Sequence, residues 1–134
     1  MIKYSIIIPS YKDNQRTYEL INNIISLGFD KATYEVIIVD NNEKEEIFFS
    51  DNDVVKVLHC KIPGSYEARN YGVNHAIGEY CIFTDSDCIP CDSWLKNIHR
   101  YILSSQAEVI AGPTKIYKGD SKNSAFLGGL FICV

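Results

Sequence analysis

The sequence has no block of lysine or arginine, no long apolar run and few histidines, and each shortage removes a class of function. Thirteen basic residues against seventeen acidic ones leave a net charge of -4, whereas a nucleic-acid surface needs a basic stripe to neutralise phosphates. A nucleic-acid partner is therefore not expected. No stretch approaches the ~20 apolar residues needed to span a bilayer. The first apolar run follows one early basic residue, Lys3, and is cut by Pro9, too short for the core of a secretion signal. Without such a signal, Cys60, Cys81, Cys88, Cys91 and Cys133 are expected to be reduced in the cytoplasm, and five thiols cannot all pair within one chain. Placement at the inner face of a membrane would have to come through regions outside this chain. Internal repeats and low-complexity tracts are also missing.

What is present suits one globular domain: 134 residues, 46% of them apolar, enough for a core without disulfide staples. Three apolar runs, SIIIP near residues 4–9, YEVIIVD at 34–40 and EYCIFTD at 79–85, are short, rich in β-branched residues and nearly continuous. Such runs read as parallel strands buried on both faces. VVKVLH at 54–59 alternates better and is placed nearer an edge, and AEVIAG at 107–112 is a fifth strand. Asp13 or Asn14 caps a helix carrying Tyr18, Ile21, Ile24, Ile25 and Leu27 up to Gly28. A second helix is expected over Ser65 to Ala76, ended by Gly78, and a third from Asp92 as N-cap, with Trp94, Leu95, Ile98 and Ile102 on one side. The order β-α-β-β-α-β-α-β calls for a parallel sheet with helices on both faces.

Ligands of such sheets bind beyond the carboxyl ends of the strands. There the sequence places Pro9-Ser10-Tyr11, Asp40-Asn41-Asn42 and Asp85-Ser86-Asp87. EKEEIFFSDND reads as a solvated connection. The apolar end, SAFLGGLFICV, has two readings of equal weight: the natural chain continues and covers it, or a last helix or strand tucks against the sheet.

The segment FTDSDCIPC, Phe83 to Cys91, holds two carboxylates two residues apart and a Cys-x-x-Cys. In an extended chain both carboxylates would turn to one face and Ser86 to the other. Like charges that close require a shared proton or a cation. Hard oxygen donors with few histidines nearby suit Mg²⁺ or Mn²⁺ better than Zn²⁺, and Mg²⁺ usually completes its shell with water and substrate phosphate. A phosphate-bearing ligand follows from that chemistry. The bland reading, Asp85 capping a turn and Asp87 facing solvent, has even odds for a bare Asp-x-Asp. Upstream, Arg69 can make planar, charge-assisted hydrogen bonds to phosphate or a base edge, or simply pair with Glu67 or Glu79. Gly72 and Ala76 would let their helix approach the sheet closely.

SIIIPSYKD, VIIVDNN and ARNYGVNHAIGEYCIFTDSDCIPCDSWL together cover most of Ser5 to Leu95, and this series resembles the family 2 inverting glycosyltransferases of GT-A fold. The resemblance implies an α/β, Rossmann-like, mostly parallel sheet. It also implies metal-dependent, inverting transfer of a sugar from a nucleoside diphosphate sugar, most naturally a UDP-sugar, to an acceptor glycan, lipid or protein, as in polysaccharide biosynthesis. Pro9, Ser10 and Tyr11 match the turn lining the nucleotide pocket, Asp40 the acid that hydrogen-bonds the base, and Arg69 the arginine that holds the nucleotide. Asp85 matches the ribose-side acid of the metal motif, Asp87 the acid that holds Mn²⁺ or Mg²⁺, and Ser86 lies between them in the nucleotide site. Asn41 and Asn42 stand where the family often has a second acid and glycine; Asn41 is carried over with the nucleotide-binding set.

The family's general base lies well past the metal motif. After Asp92 the only carboxylates are Glu108 and Asp120, neither in a version of that motif. The expectation is a donor-binding part, residues 1–134, lacking the acceptor half, with the base beyond Val134 and Gly112-Pro113-Thr114 at the start of the sugar or acceptor region. A non-catalytic nucleotide-sugar binding module would share every donor residue. A haloacid-dehalogenase phosphatase also uses Asp-x-Asp, but usually on its first strand, with a later lysine for which little chain remains. Cys88-Ile89-Pro90-Cys91 resembles a redox motif, yet two adjacent aspartates would repel a thiolate, and one Cys-x-x-Cys is half a zinc site.

Overall fold

The computed structural model describes residues 1–45, 47–49, 52–106 and 108–113, and the backbone of residues 130–133. Thr114, Asp120 and most of the apolar C-terminal segment lie outside the described residues. The elements run β1 (Tyr4–Ser10), α1 (Asn14–Ser26), a 3-10 turn at Lys31–Thr33, β2 (Tyr34–Asp40), β3 (Val55–His59), α2 (Ser65–Val73), β4 (Tyr80–Phe83), α3 (Trp94–Ser104), β5 (Val109–Gly112) and β6 (Leu130–Cys133).

The sheet order is β3-β2-β1-β4-β6-β5. The first four strands are parallel, in the register Tyr4 to Tyr34 and Tyr80, and Val36 to Val55. β6 is antiparallel to both β4 and β5. VVKVLH thus supplies an edge strand, as its alternation suggests, and the apolar C-terminal segment supplies a strand inside the sheet. Ile6, Ile7, Ile8, Val36, Ile37, Ile38 and Val39 are wholly buried, because helices cover both faces. On one side Ile6, Ile8, Val36 and Ile38 pack with Leu20, Ile21 and Ile24 of α1 and Leu95 and Ile98 of α3. On the other, Ile7, Ile37 and Val39 pack with Ala68 of α2.

Two glycines set how closely the second face is covered. A methyl group at Gly72 would come within 2.6 Å of Ile7 Cγ2 and 3.1 Å of Val39 Cγ2. At Gly78 it would meet the Ser5 backbone N at 2.6 Å. Gly78 N donates to Ser5 Oγ (2.8 Å), which donates to Glu35 Oε1 (2.5 Å), and Ile77 N reaches the same oxygen at 2.8 Å. Gly78 therefore belongs to a polar tie at the amino ends of the strands. It does not end α2, which stops at Val73. The third helix likewise begins one residue later than Asp92 as N-cap suggests, with Ser93 at its N-cap, because Trp94 N bonds Cys91 O (2.9 Å) and closes a preceding turn.

At the amino edge Tyr4 is buried and its hydroxyl lies 2.5 Å from His99 Nδ1. Burial pushes its phenol up to about 12, with the Tyr80 and Glu79 charges adding to the rise. A raised acid contributes stability that is intact below its unfolded value near ~10 and lost as pH rises through the folded one. Denaturation midpoints should therefore fall between about pH 10 and 12, and the fall should be shallower in Tyr4→Phe. Gly72→Ala and Gly78→Ala should each lower unfolding free energy by about 1–3 kcal/mol in urea titrations, as overpacked positions do.

Candidate functional site

The chain runs outward from β1 to β2 and β3, then returns through α2 to place β4 on the other side of β1. That reversal opens a crevice at the carboxyl ends of β1 and β4, where such sheets bind ligands. A cleft of about 860 Å³ occupies it. Pro9, Ser10 and Tyr11 line it from β1, Asn41 from β2, Arg69 from α2, and Asp85, Ser86 and Asp87 from the segment after β4. Of the nucleotide and metal residues expected from sequence, only Asp40 is not on its wall.

Strand alternation explains the exception. Asp40 continues the row of Val36 and Ile38, which faces α1, and Asn41 turns the other way. The Asp40 carboxylate is wholly buried. Its Oδ1 accepts from Asn42 N (3.0 Å) and Nδ2 (2.8 Å), and its Oδ2 from Ile47 N (3.1 Å). A buried carboxylate needs such charge-assisted donors, and here they come from the loop that leaves β2. Asp40 also borders a separate hollow of about 430 Å³ with Phe48, Val57 and His59.

Asn41 performs a similar task on the cleft side. Its Nδ2 donates to the carbonyls of Cys60 and Ile62, both at 2.8 Å, and its Oδ1 accepts from Gly64 N at 2.9 Å. These bonds hold the chain after β3, so that Lys61, Pro63, Gly64 and Ser65 form a wall of the cleft. Asn42 Oδ1 accepts from Lys12 N at 2.8 Å. Lys12 takes a positive φ of 52°, and its Nζ lies 5.0 Å from the Tyr11 ring centre.

The acidic segment is a turn and not an extension of the strand. β4 ends at Phe83, and Cys88 N bonds Asp85 O at 3.0 Å. Alternation therefore does not apply, and Asp85, Ser86 and Asp87 all line the cleft. Asp85 accepts a hydrogen bond from Arg69 Nη2, the partner in place of Glu67 or Glu79. Ser86 Oγ donates to Asp13 Oδ2 at 3.0 Å. Asp87 is exposed. Oxygen donors of this kind fit a divalent cation that completes its shell with phosphate and water. No group of three or more histidine, cysteine or carboxylate ligands occurs among the described residues.

Asp13, Glu43 and Lys61 also line the cleft, and sequence reasoning did not place them there. Asp13 does precede α1 as its N-cap, but its side chain makes no capping bond; it meets Ser86 and, at 3.8 Å, Arg16. Lys61 stands two residues past the end of a parallel strand, a position that the rim rule could have flagged. The Cys-x-x-Cys carries no sign of chemistry. Cys88 is buried, and burial pushes its thiol up, against hydrogen bonding from Asp85 and Thr84 that only partly offsets it. No disulfide joins Cys88 and Cys91.

Asn41→Ala should cost about 2 kcal/mol in urea denaturation, the usual scale for leaving buried partners unsatisfied. The change should also speed amide exchange at Gly64, read by mass spectrometry or NMR.

The sequence matches the family model "Glycosyl transferase family 2" over residues 5–127. It is 31% identical over 115 residues to the glycosyltransferase AglE of Haloferax volcanii, an alignment covering 81% of this chain and 38% of that protein. To the poly(ribitol-phosphate) β-N-acetylglucosaminyltransferase TarS of Staphylococcus aureus it is 26% identical over 117 residues, covering 82% of this chain and 20% of that protein. The chain thus spans less than half the length of either relative. Among solved structures, S. aureus TarS 1-349 in complex with UDP superposes with a TM-score of 0.73 at 24% identity, covering 90% of this chain and 38% of that one. The mannosyltransferase PcManGT of Pyrobaculum calidifontis, in complex with GDP-Man and Mn²⁺, superposes with a TM-score of 0.72 at 15% identity, covering 98% and 44%. Both likenesses are of fold, the GT-A arrangement of strands and helices built above. With the family model matched across nearly the whole chain, the protein belongs to glycosyl transferase family 2.

Proposed function

We propose that this chain forms the donor site of a glycosyltransferase that takes a nucleoside diphosphate sugar, a UDP-sugar, together with Mn²⁺ or Mg²⁺, and transfers the sugar with inversion. The observation that carries the reading is the convergence of Asp85, Ser86, Asp87 and Arg69 with the Pro9-Ser10-Tyr11 turn on one cleft at the sheet's reversal point. Two structural neighbours support the donor class, TarS in its complex with UDP-GlcNAc and PcManGT in its complex with GDP-Man and Mn²⁺.

In this reading the nucleoside lies along the β1 turn and the Asn41 side of the cleft, and the diphosphate lies toward Asp85 and Asp87. Asp40 shapes the base end by holding Asn42 and Ile47. Arg69 has donors beyond the one given to Asp85 and offers them to phosphate oxygens as negative charge grows on the departing diphosphate. Asp85 fixes the guanidinium, and Asp13 fixes Ser86. The carboxylates of Asp85 and Asp87 would hold the cation, whose positive charge stabilises the leaving group. The acceptor, a glycan, lipid or protein, loses its hydroxyl proton to a base that we place outside the described residues. Of the two carboxylates after Asp92, Glu108 is exposed and off the cleft wall.

Titration calorimetry with UDP should show binding that requires Mg²⁺ or Mn²⁺ and that weakens at least about tenfold in Asp87→Ala, the scale of a charge-assisted contact. Tight binding without metal, or none by a folded wild-type chain, would overturn the assignment. Binding without sugar transfer by the full natural protein would favour a nucleotide-sugar binding module.

A further inference from the structure

The cleft contains a cation that the donor reading leaves without a task. Lys61 is exposed and lines the cleft. The ion pairs found among the described residues are Arg16 with Asp13 and Arg69 with Asp85, so Lys61 stands in the cleft outside both of them. Its backbone is held on both sides, because Asn41 bonds Cys60 O and Ile62 O at 2.8 Å and Gly64 N at 2.9 Å. A long, flexible side chain on a fixed backbone can reach a ligand without ordering its own loop first, which removes one entropic cost of binding.

Its place along the rim decides what it can touch. The order β3-β2-β1-β4 puts the chain after β3 three strand spacings from the chain after β4, about 14 Å at the usual separation of neighbouring strands. Lys61 follows β3, and the acidic turn follows β4. With the diphosphate at the acidic turn, Lys61 faces the opposite end of the nucleotide, the base. An ammonium only donates hydrogen bonds. It satisfies an exocyclic carbonyl oxygen, such as O4 of a uracil-type base or O6 of guanine, and is left opposed to the exocyclic amine of cytosine or adenine.

We propose that Lys61 is a base-specificity residue of the donor site, donating to the exocyclic carbonyl of uracil or guanine, and that Asn41 is the positioning residue that fixes its loop. This proposal rests on the donor-site reading above. It adds the identity of the group that selects the base and predicts discrimination within nucleoside diphosphates that share one diphosphate.

The test is calorimetry of the chain with UDP and CDP at saturating Mg²⁺, in wild type, Lys61→Ala and Lys61→Arg. Wild type should prefer UDP by about tenfold, the scale of a hydrogen bond to a charged group. Lys61→Ala should weaken UDP by about that factor and leave CDP within about twofold, erasing the preference. Lys61→Arg, which still donates, should retain most of it. An unchanged UDP-to-CDP ratio in Lys61→Ala overturns the proposal. Equal weakening of both nucleotides overturns it too, since that is the signature of a phosphate contact. Failure of the wild type to bind either nucleotide would instead sink the donor-site reading, and this proposal with it. Lys61 is exposed, so circular dichroism should show the variants folded.

Discussion

The cleft depends on what happens at the carboxyl end of β2, where two successive residues turn to opposite faces and each holds a loop. Asp40 points into the α1 face and takes hydrogen bonds from Asn42 and Ile47. Asn41 points into the cleft and binds the chain on either side of Lys61. One loop is held by a buried carboxylate that must find donors, the other by a carboxamide that offers both donors and an acceptor. Among the described residues neither loop has regular secondary structure to satisfy its backbone, so these side chains do that work. The walls of the site are thus fixed by side chains that need not touch the donor.

The opposite end of the site is set by packing. α2 must lie close to β1 and β2 for Arg69 to meet Asp85 beyond the end of β4. That approach is possible because Gly72 presents no side chain to Ile7 and Val39. The same helix buries Ala68 against the sheet and turns Arg69 toward the rim. Sequence choice at one small residue therefore propagates through helix-to-sheet distance to the position of a charge in the cleft. Arg69 and Asp85 orient each other, and Ser86 and Asp13 tie the same turn to the start of α1.

Much of this was legible in the chain because short, continuous β-branched runs separated by helical periodicities leave few alternatives to a parallel sheet. The polar clusters at strand ends, the acidic turn and Arg69 follow from that topology. Other features were hidden because they depend on direction and distance. Asp40 and Asn41 look equally available in VIIVDNN, and only the facing of the strand separates them. The Asp85 to Asp87 segment reads as extended until the bond from Cys88 N to Asp85 O shows a turn. Lys61 carries no motif, and its place in the cleft comes from an asparagine twenty residues earlier in the chain. The Cys-x-x-Cys shows the converse, a recognisable spacing whose buried Cys88 is held protonated beside two acids.

The central claim is that the cleft between the β1 turn and the acidic turn, and not the hollow beside Asp40 and His59, holds the metal and nucleotide. Paramagnetic broadening measures this directly: amide spectra of the ¹⁵N-labelled chain with UDP, titrated with a trace of Mn²⁺ into Mg²⁺. The account predicts losses centred on Asp85 to Cys88, extending to Asp13 and Arg69, and dependent on UDP. Broadening centred on Phe48, Val57 and His59, or spread evenly over the acidic surface, would contradict it.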